Sequence, residues 1–393
     1  MIMTSRRTEI AIIGGGAMGA WTAFHLARRG ARVMIVERSF PGAQASGVNY
    51  GSMRIQGRFL PQLPLSLRAQ RIWEESEKLL GTDVEFRRTG HLHVAVDAAQ
   101  QAKIERYAVD ALAYGLGVEI LAPAAIRRRW PWIAPHAIAA SWSAIDGAVN
   151  PRLVVPALAA RLAALDVAVL QGRRVTGAER LGAGFRLETA EGDVIEADML
   201  VNTGGAWGAD VAAWFAEPVP MFVAGPSEMV TEPLPYFMQP TLQIVDGSIV
   251  IRQVERGNVI IAGHPRGPAD ALKMRARMPG AKTLTNLQRV ADIIPCLSGA
   301  SIIRTWSGIE GYMPDMIPII GPSATTPGLW HAFAFSGHGM QLCPGLGAVL
   351  SELILDGRSE TPVGAFAIDR FRQTQTVDED YLRQEFDAGV VKA

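Results

Sequence analysis

The sequence predicts an α/β protein in two parts. One is a parallel sheet assembled from distant segments; the other is an inserted α+β unit built on a mainly antiparallel sheet. Three observations predict it. Residues 9–36 run strand, glycine turn, helix, strand, the βαβ order that implies a parallel pair. Several β-type runs follow one another across 218–301, notably 248–252 and 259–262, which suits an antiparallel sheet. A strand, a glycine loop and a helix then close the chain at 329–355.

Residues 9–13 read as a buried strand: short, β-rich and stopped by glycine. Residues 17–29 read as a helix with Ala20, Ala23, Phe24 and Ala27 on one face. Gly30 suits the left-handed position just past its end. Residues 32–36 form the second strand. The stretch 41–64 is rich in Gly, Ser and Pro and reads as a long ordered loop, a kind that is usually functional. A helix is expected at 65–80, a strand at 91–96 and a helix at 99–114. Residues 122–142, with closely spaced prolines and tryptophans, read as irregular. A helix at 151–165 and a strand at 167–170 come next. The runs 175–188 and 193–202 suit a β-meander returning to the first sheet, ending at Gly204-Gly205. The final strand is 329–335. The final helix is 346–355, stopped by Gly357.

At 393 residues the chain holds two domains, or one with an insertion. Hydrophobic residues make up 49%, enough for large cores. Lys plus Arg equals Asp plus Glu at 38 each, so no net charge recruits nucleic acid or an acidic membrane surface. The run Arg127-Arg128-Arg129 reads as a solvated helix end. Cys296 and Cys343 are the two cysteines, and no C-x-x-C occurs. They read as ordinary small apolar residues in a reducing, cytoplasmic compartment, and no metal or cysteine-ligated cluster is expected. The apolar run 10–13 is too short for a signal peptide, and nowhere do about 18 consecutive apolar residues occur to span a bilayer.

Gly14-Gly15-Gly16-Ala17-Met18-Gly19 fits G-x-G-x-x-G between a strand and a helix. Gly14 permits the tight turn, Gly16 lets backbone approach a pyrophosphate, and Gly19 lets the helix pack on the sheet. The helix N-terminus offers free N–H groups and partial positive charge to phosphates. Glu37 ends the second strand 23 residues after Gly14 (37 − 14), where it can accept hydrogen bonds from ribose hydroxyls and disfavours a 2′-phosphate. FAD and NAD are not separated by this motif. A second glycine-bearing element, Ser336 to Gly345, follows a strand and opens a helix. Two cradles at opposite ends of the chain suit a long ligand. A helix N-terminus aimed at a flavin's pyrimidine edge would stabilise the charge that appears there on reduction. The alternative is a tight turn beside the core.

Five blocks occur in one order: the N-terminal cradle; Ala45-Ser46-Gly47-Val48-Asn49-Tyr50-Gly51-Ser52-Met53-Arg54; Asn202-Thr203-Gly204-Gly205-Ala206-Trp207; Trp306 to Asp315 with Pro318-Ile319-Ile320-Gly321; and Ser336 to Gly345. That order resembles the D-amino-acid oxidase family of flavoproteins. It is most similar to the branch of sarcosine oxidases, glycine oxidase, and the catalytic subunits of hydroxy-D-proline and opine dehydrogenases. The resemblance spans residues 10–357 and implies a glutathione-reductase-like FAD-binding Rossmann domain. That domain is expected over 1–85, 146–217 and 302–393, with a substrate domain over 86–145 and 218–301. The resemblance assigns Gly14, Gly16, Ala17, Met18, Gly19, Glu37 and Arg38 to FAD. It adds Ala45, Ser46, Gly51, Ser52, Met53, Val175, Thr203, Gly204, Trp207 and Gly308, and, at the far end, Gly337, His338, Gly339, Met340 and Gln341. Non-covalent FAD is expected, because Cys343 falls near, and not clearly at, the place of the flavin-linking Cys of sarcosine oxidases. A second flavin at a subunit interface is left open.

Oxidising an amino acid at Cα needs an anchored carboxylate, usually on Arg, a neutral amine, and Cα–H held against the flavin. In sarcosine oxidases, arginines on the stretch equivalent to Arg54 and Arg58 lie in the active site. Arg54 matches the motif position; Arg58 is displaced by one residue. Arg252 sits in the run Ile249-Val250-Ile251-Arg252, where a charge needs a ligand carboxylate or a salt bridge. His338 is expected beside the cofactor, and Tyr312 either lines the substrate cavity or belongs to the core. The expected catalytic set is Arg54, Arg252, His338 and Tyr312. The expected substrate-binding set is Arg54, Arg58, Arg252 and Gln341. His264 reads as structural, and Trp130, Trp132 and Trp142 as core or interface. Two departures from sarcosine oxidases stand out. Gln341 replaces a Lys that helps bind the substrate carboxylate, and Ile260 best matches a Lys that promotes reaction with oxygen. The reading is FAD-dependent oxidation of the C–N bond of a small, secondary amino acid such as hydroxy-D-proline, an opine or sarcosine. A hydride passes to flavin N5, the imine hydrolyses, and the chain acts as a dehydrogenase subunit with electron-transfer partners. The alternatives are an oxygen-dependent oxidase making hydrogen peroxide, an NAD-dependent dehydrogenase, and a flavin-binding electron-relay subunit.

Overall fold

Ile10 to Ile13 are apolar without alternation because both faces of their strand are covered. This strand, β1 (Ser5–Ile13), leads through a glycine turn into α1 (Ala17–Arg28) and then β2 (Val33–Val36). The computed structural model describes residues 5–278, 280–372, 382 and 386. β1 pairs in parallel with β2 on one side and with Val194–Asn202 on the other, Ile13 opposite Asn202. The sheet order is Ile319–Pro322, Leu329–Phe333, Val194–Asn202, β1, β2, Ala168–Leu170. All neighbours are parallel except the first pair. The expected meander is present: Val175–Leu181 and Gly184–Thr189 run antiparallel into Val194–Asn202. Gly30 takes φ +87° just past α1 and Gly357 takes φ +72° past the last helix, as their places predict.

The C-terminal helix (Gly339–Asp356) is buried along its first two-thirds and packs on α1 and on the helix Leu63–Glu74. Glycines set that approach. A Cβ on Gly345 would lie 2.9 Å from Ala69 Cα, and one on Gly347 would lie 2.6 Å from Trp21 C. Trp21, Trp73, Leu342, Leu346 and Val349 fill the core between these helices.

The second sheet has eight strands in the order Ile302–Ser307, Ser227–Pro233, Asn258–Ala262, Val250–Gln253, Thr241–Ile244, His91–Ala95, Ala139–Ser143, Glu119–Leu121. Pairing is antiparallel except between Thr241–Ile244 and His91–Ala95. Leu92, Leu242, Ile251, Ile261 and Met229 form one row across it, and that row is core, covered by Val290 and Ile293 of the helix Gly280–Ile293. Period-2 alternation sends the neighbouring row to the opposite face.

Four sequence readings change. Residues 122–142 are not irregular throughout. Pro123 starts a helix, Pro123–Arg129, where its fixed φ suits the first turn. Ala139–Ser143 becomes a strand because His91–Ala95 and Glu119–Leu121 pair with it, a partnership that local sequence does not encode. The helix at 65–80 is two, Leu63–Glu74 and Ser76–Leu80. The loop at 41–64 contains a short helical turn, Ala45–Val48, and a strand, Ser52–Met53, paired with Gly147–Ala148. Ile302–Ser307, read with the cofactor part, is hydrogen-bonded into the second sheet. Trp130, Trp132 and Trp142 do join its core. Among the described residues no helix is long and apolar enough to cross a membrane.

Gly347→Ala should cost about 2 kcal/mol or more, since overpacking against backbone commonly costs about 1–3 kcal/mol. Gly177→Ala, where a Cβ meets nothing within 4 Å, should stay within about 0.5 kcal/mol of the parent. Urea unfolding of both variants checks the contrast.

Candidate active site

The two sheets face each other across a cavity of about 670 Å³. The N-terminal cradle forms one part of it. Gly14 takes φ +104°, and Gly16 is the N-cap of α1. A Cβ on Gly19 would fall 2.0 Å from Gly14 O and 2.7 Å from Thr203 Oγ1, so only glycine lets α1 start this close to the turn. Thr203 ties the cradle to the Val194–Asn202 strand, its hydroxyl donating to Ile13 O at 2.8 Å. Ser46 Oγ accepts from Ala17 N at 2.9 Å, bringing the Ala45–Val48 turn over the helix start. Glu37 accepts from Gly15 N at 2.7 Å and from Ser39 N at 2.8 Å. A carboxylate has lone pairs beyond these two for ribose hydroxyls.

Most residues expected to hold the cofactor line this cavity. Gly14, Gly16, Ala17, Met18, Glu37 and Arg38 do, as do Ala45, Ser46, Gly51, Ser52, Val175, Thr203, Gly204 and Trp207. Gly308, Gly337, His338, Gly339 and Met340 line it at other parts of its wall. Arg38 stacks its guanidinium 3.9 Å from the Trp207 ring centre. Three expected contacts are corrected. Gly19 serves helix packing behind the turn. Met53 points into the core. Gln341 is 1% exposed and donates from Nε2 to Ser66 O at 2.9 Å. The cause for Gln341 is that the last helix begins at Gly339, earlier than expected. Gln341 therefore lies in its first turn, on the face packed against Leu63–Glu74.

The second sheet supplies the opposite wall mainly through one row. Trp306 pairs with Glu228, Val250 pairs with both Ala262 and Gln243, and Gln243 pairs with His93, which pairs with Ser141. Glu228, Ala262, Val250, Gln243, His93 and Ser141 all line the cavity. This is the row that alternation turns away from the core.

Arg54, Arg58, His93 and His338 converge at one end, with Lys103 and Tyr107 also on the wall. Arg54 Nη1 donates to Gln56 O at 2.9 Å and lies 3.5 Å from His93 Nε2. Arg58 is 7% exposed; its Nε donates to Arg54 O at 3.3 Å and its Nη2 to Gly337 O at 3.5 Å. Burial, then the Arg54 charge, pulls the Arg58 guanidinium well below its usual range. His338 Nδ1 lies 3.1 Å from Gln62 Oε1. An amide oxygen only accepts, so Nδ1 carries the proton and Nε2 is the lone-pair nitrogen. Burial, then Arg58 and Arg54, holds His338 well below the usual histidine range, so the ring is neutral at neutral pH. Burial and Arg54 act alike on His93.

Further expectations shift at Arg252, His264 and Ile260, while Tyr312 keeps to its two expected places. Arg252 is not among the residues of this cavity. It donates from Nε and Nη2 to Tyr50 O at 3.1 and 2.8 Å and from Nη2 to Val149 O at 3.3 Å. Arg252 therefore braces the loop at Tyr50 and does not line this cavity. Tyr312 lines the cavity but is fully buried, its hydroxyl donating to Glu310 Oε2 at 2.7 Å. His264, read as structural, lines the cavity, and Ala262 rather than Ile260 faces it from the same strand. Sequence reasoning missed Glu228, His93, Lys103, Tyr107 and Gln243. Alternation within each strand was visible, but the registers that align them were not.

A cradle at a helix N-terminus, a second helix start and a cavity joining them define a dinucleotide-binding class of protein. The cradle residues fit a long cofactor: backbone N–H groups at both helix starts and a carboxylate beside the first. Residues 9–353 match the family described as DAO, FAD dependent oxidoreductase, and the chain belongs to that family. It is therefore an FAD enzyme, which sets aside the NAD alternative. Glycine oxidase of Geobacillus kaustophilus (strain HTA426) is 26% identical over 375 residues, 93% of this chain and 98% of the relative. An opine oxidase subunit of Rhizobium meliloti is 25% identical over 379 residues, again 93% and 98%. Among solved structures, L-proline dehydrogenase from P. horikoshii superposes with a TM-score of 0.87 at 24% identity, covering 97% of this chain and 100% of that one.

Asp146 organises the arginine loop from behind. It accepts from Ile55 N at 3.0 Å, Gln56 N at 3.2 Å and Ser143 Oγ at 2.8 Å. Burial outweighs those bonds and pushes its carboxyl up to about 6. Asp146→Ala should cost about 2–5 kcal/mol, because each orphaned buried amide costs about 1–3 kcal/mol. A raised folded value means the wild-type advantage is fullest below about pH 4, the unfolded range, and shrinks as pH rises through about 6. Urea unfolding of both proteins across that window checks the size and the sign.

Proposed function

We propose that this protein oxidises the C–N bond of a small amino acid, with a secondary amine such as hydroxy-D-proline, an opine or sarcosine as substrate. When bound, FAD supplies a two-electron acceptor for the hydride. The observation that carries the reading is the pairing of Arg54 and Arg58 beside a neutral His338 at one end of the cavity. A planar guanidinium matches a carboxylate, and a buried one binds it most strongly. Arg54 takes the substrate carboxylate, with Arg58 beside it. His338 presents a lone pair at Nε2 that accepts a hydrogen bond from the substrate amine or holds the ring of the cofactor. Gln243, Ser141 and His93 supply the polar wall that orients the substrate. The cradle residues that line the cavity hold the cofactor, and the second sheet, with Ile302–Ser307 added to it, forms the substrate part.

The strand Asn258–Ala262 supports a dehydrogenase over an oxygen-dependent oxidase. Its cavity-facing residue is Ala262, and Ile260 is the best match to the Lys with which sarcosine oxidases promote reaction with oxygen. Neither offers a charge to stabilise superoxide. The relatives named above act, by their names, on glycine and opines, and one is part of a multi-subunit assembly, which supports electron-transfer partners. Cys343 is fully buried with its thiol against Met340 O, and neither cysteine lines the cavity. We take the FAD to be non-covalent and the compartment to be the cytoplasm.

Anaerobic titration of the yellow holoprotein with D- and L-proline, hydroxy-D-proline, sarcosine, glycine and octopine should bleach the flavin with at least one of them. Re-oxidation should then be slow in air and fast with an artificial dye; fast re-oxidation by air would mark a stand-alone oxidase. If nothing bleaches the flavin, the electron-relay alternative gains. Arg54→Leu should raise KM about 10–100-fold, matching the loss of a charge-assisted hydrogen bond worth about 1.5–3 kcal/mol. Acid precipitation should release all the flavin into the supernatant.

A further inference from the structure

Glu228 stands in the cavity wall. It lines the cavity yet is only 3% exposed. Its Oε2 is buried and makes no hydrogen bond among the described residues. It belongs to the sheet row that faces the cavity, between Trp306 and the Asn258–Ala262 strand. Around it lies chain that carries the cofactor loops. Trp306 Nε1 donates to Val48 O at 2.8 Å, and a Cβ on Gly308 would sit 2.5 Å from Val48 Cγ2.

The charged and titratable groups facing it come from four elements. Tyr50 lies on the loop of residues 45–54, Arg252 on Val250–Gln253, Arg152 on Pro151–Ala164 and Glu310 on Glu310–Tyr312. Arg252 gives its N–H groups to Tyr50 O and Val149 O. Burial therefore dominates and pushes the carboxyl well above the usual range, against the pull of Arg252 and the Trp306 indole and with a push from Glu310. A carboxylate buried this deeply is costly when the facing Arg252 gives its N–H groups to carbonyl oxygens, whereas a neutral acid needs only an acceptor for its O–H.

We propose that Glu228 is a neutral carboxylic acid that donates its O–H to the flavin ring system held in this cavity. A neutral donor steadies the ring without placing a negative charge beside a group that gains electrons. The inference rests on the membership in an FAD-dependent family and on the cavity, and is independent of which amine is the substrate.

The test uses holoenzyme reduced by dye-coupled titration, so no substrate enters it. Glu228→Gln keeps a neutral donor of nearly the same shape, and Glu228→Leu removes the donor. Redox-difference infrared spectra of the parent should contain a protonated-carboxyl C=O band that shifts on reduction and is missing in Glu228→Gln. The midpoint potential of Glu228→Gln should match the parent at neutral pH. In alkaline solution the parent's potential should fall more steeply with pH as the acid ionises, and that of Glu228→Gln should not. Glu228→Leu should change the flavin absorption band shape; if it retains no FAD, the Glu228→Gln comparison decides alone. A carboxylate band in place of the acid band would overturn the proposal. So would a rise in potential at neutral pH in Glu228→Gln, or identical pH profiles for the two proteins.

Discussion

The cavity exists because backbone meets backbone at the turn between β1 and α1. Gly19 sits against Gly14 O and Thr203, at distances no side chain tolerates. The first N–H groups of α1 are thereby brought to the end of the sheet, where the Val194–Asn202 strand delivers Thr203 from nearly two hundred residues away. Glu37 and Ser46 then close on the same turn from β2 and from the loop beyond it. A wider turn would move the helix start away from all three, and the anion-binding potential of its N-terminus fades within the first turn.

The far end repeats the device in a different setting. The C-terminal helix reaches the cavity only because Gly345 and Gly347 let it lie on the helix Leu63–Glu74 and on α1 with almost no gap. That packing fixes where His338 stands at the helix start, and Gln62, just before Leu63–Glu74, fixes which ring nitrogen carries the proton. The packing of one helix pair thus sets both the helix core and the partner that fixes the tautomer of His338.

Charge in this site is held with few opposite charges nearby. Arg58 and Arg252 are buried and bonded to carbonyl oxygens in place of carboxylates. Carbonyl dipoles lower the cost of burying a guanidinium without cancelling its charge. Arg252 uses that to hold the loop at Tyr50. Burial keeps His338 and His93 neutral, and the nearby Arg54 and Arg58 charges add to that effect.

Local chemistry made the first cradle, the parallel βαβ unit and the arginine loop legible in the sequence. A glycine needed for φ +104° at position 14, an apolar run ended by that turn, and a helix face of alanines all speak within a few residues. Gly30, Gly357 and the meander before Thr203 were legible for the same reason. Tertiary structure decided which of the candidate residues meet. Gln341 turned into the core because its helix starts at Gly339. Arg252 met the Tyr50 loop because a strand side chain goes where its row is packed. Ala139–Ser143 became a strand because partners were available on both sides. Glu228, Gln243, His93 and Ser141 form one wall only when the strands between them settle into register. The sequence by itself determined the turns, the helix starts and which faces are apolar, since these follow from backbone sterics and short periodicities. Strand register and side-chain direction across long separations were left to the folded structure, because they depend on contacts between residues that no local pattern links.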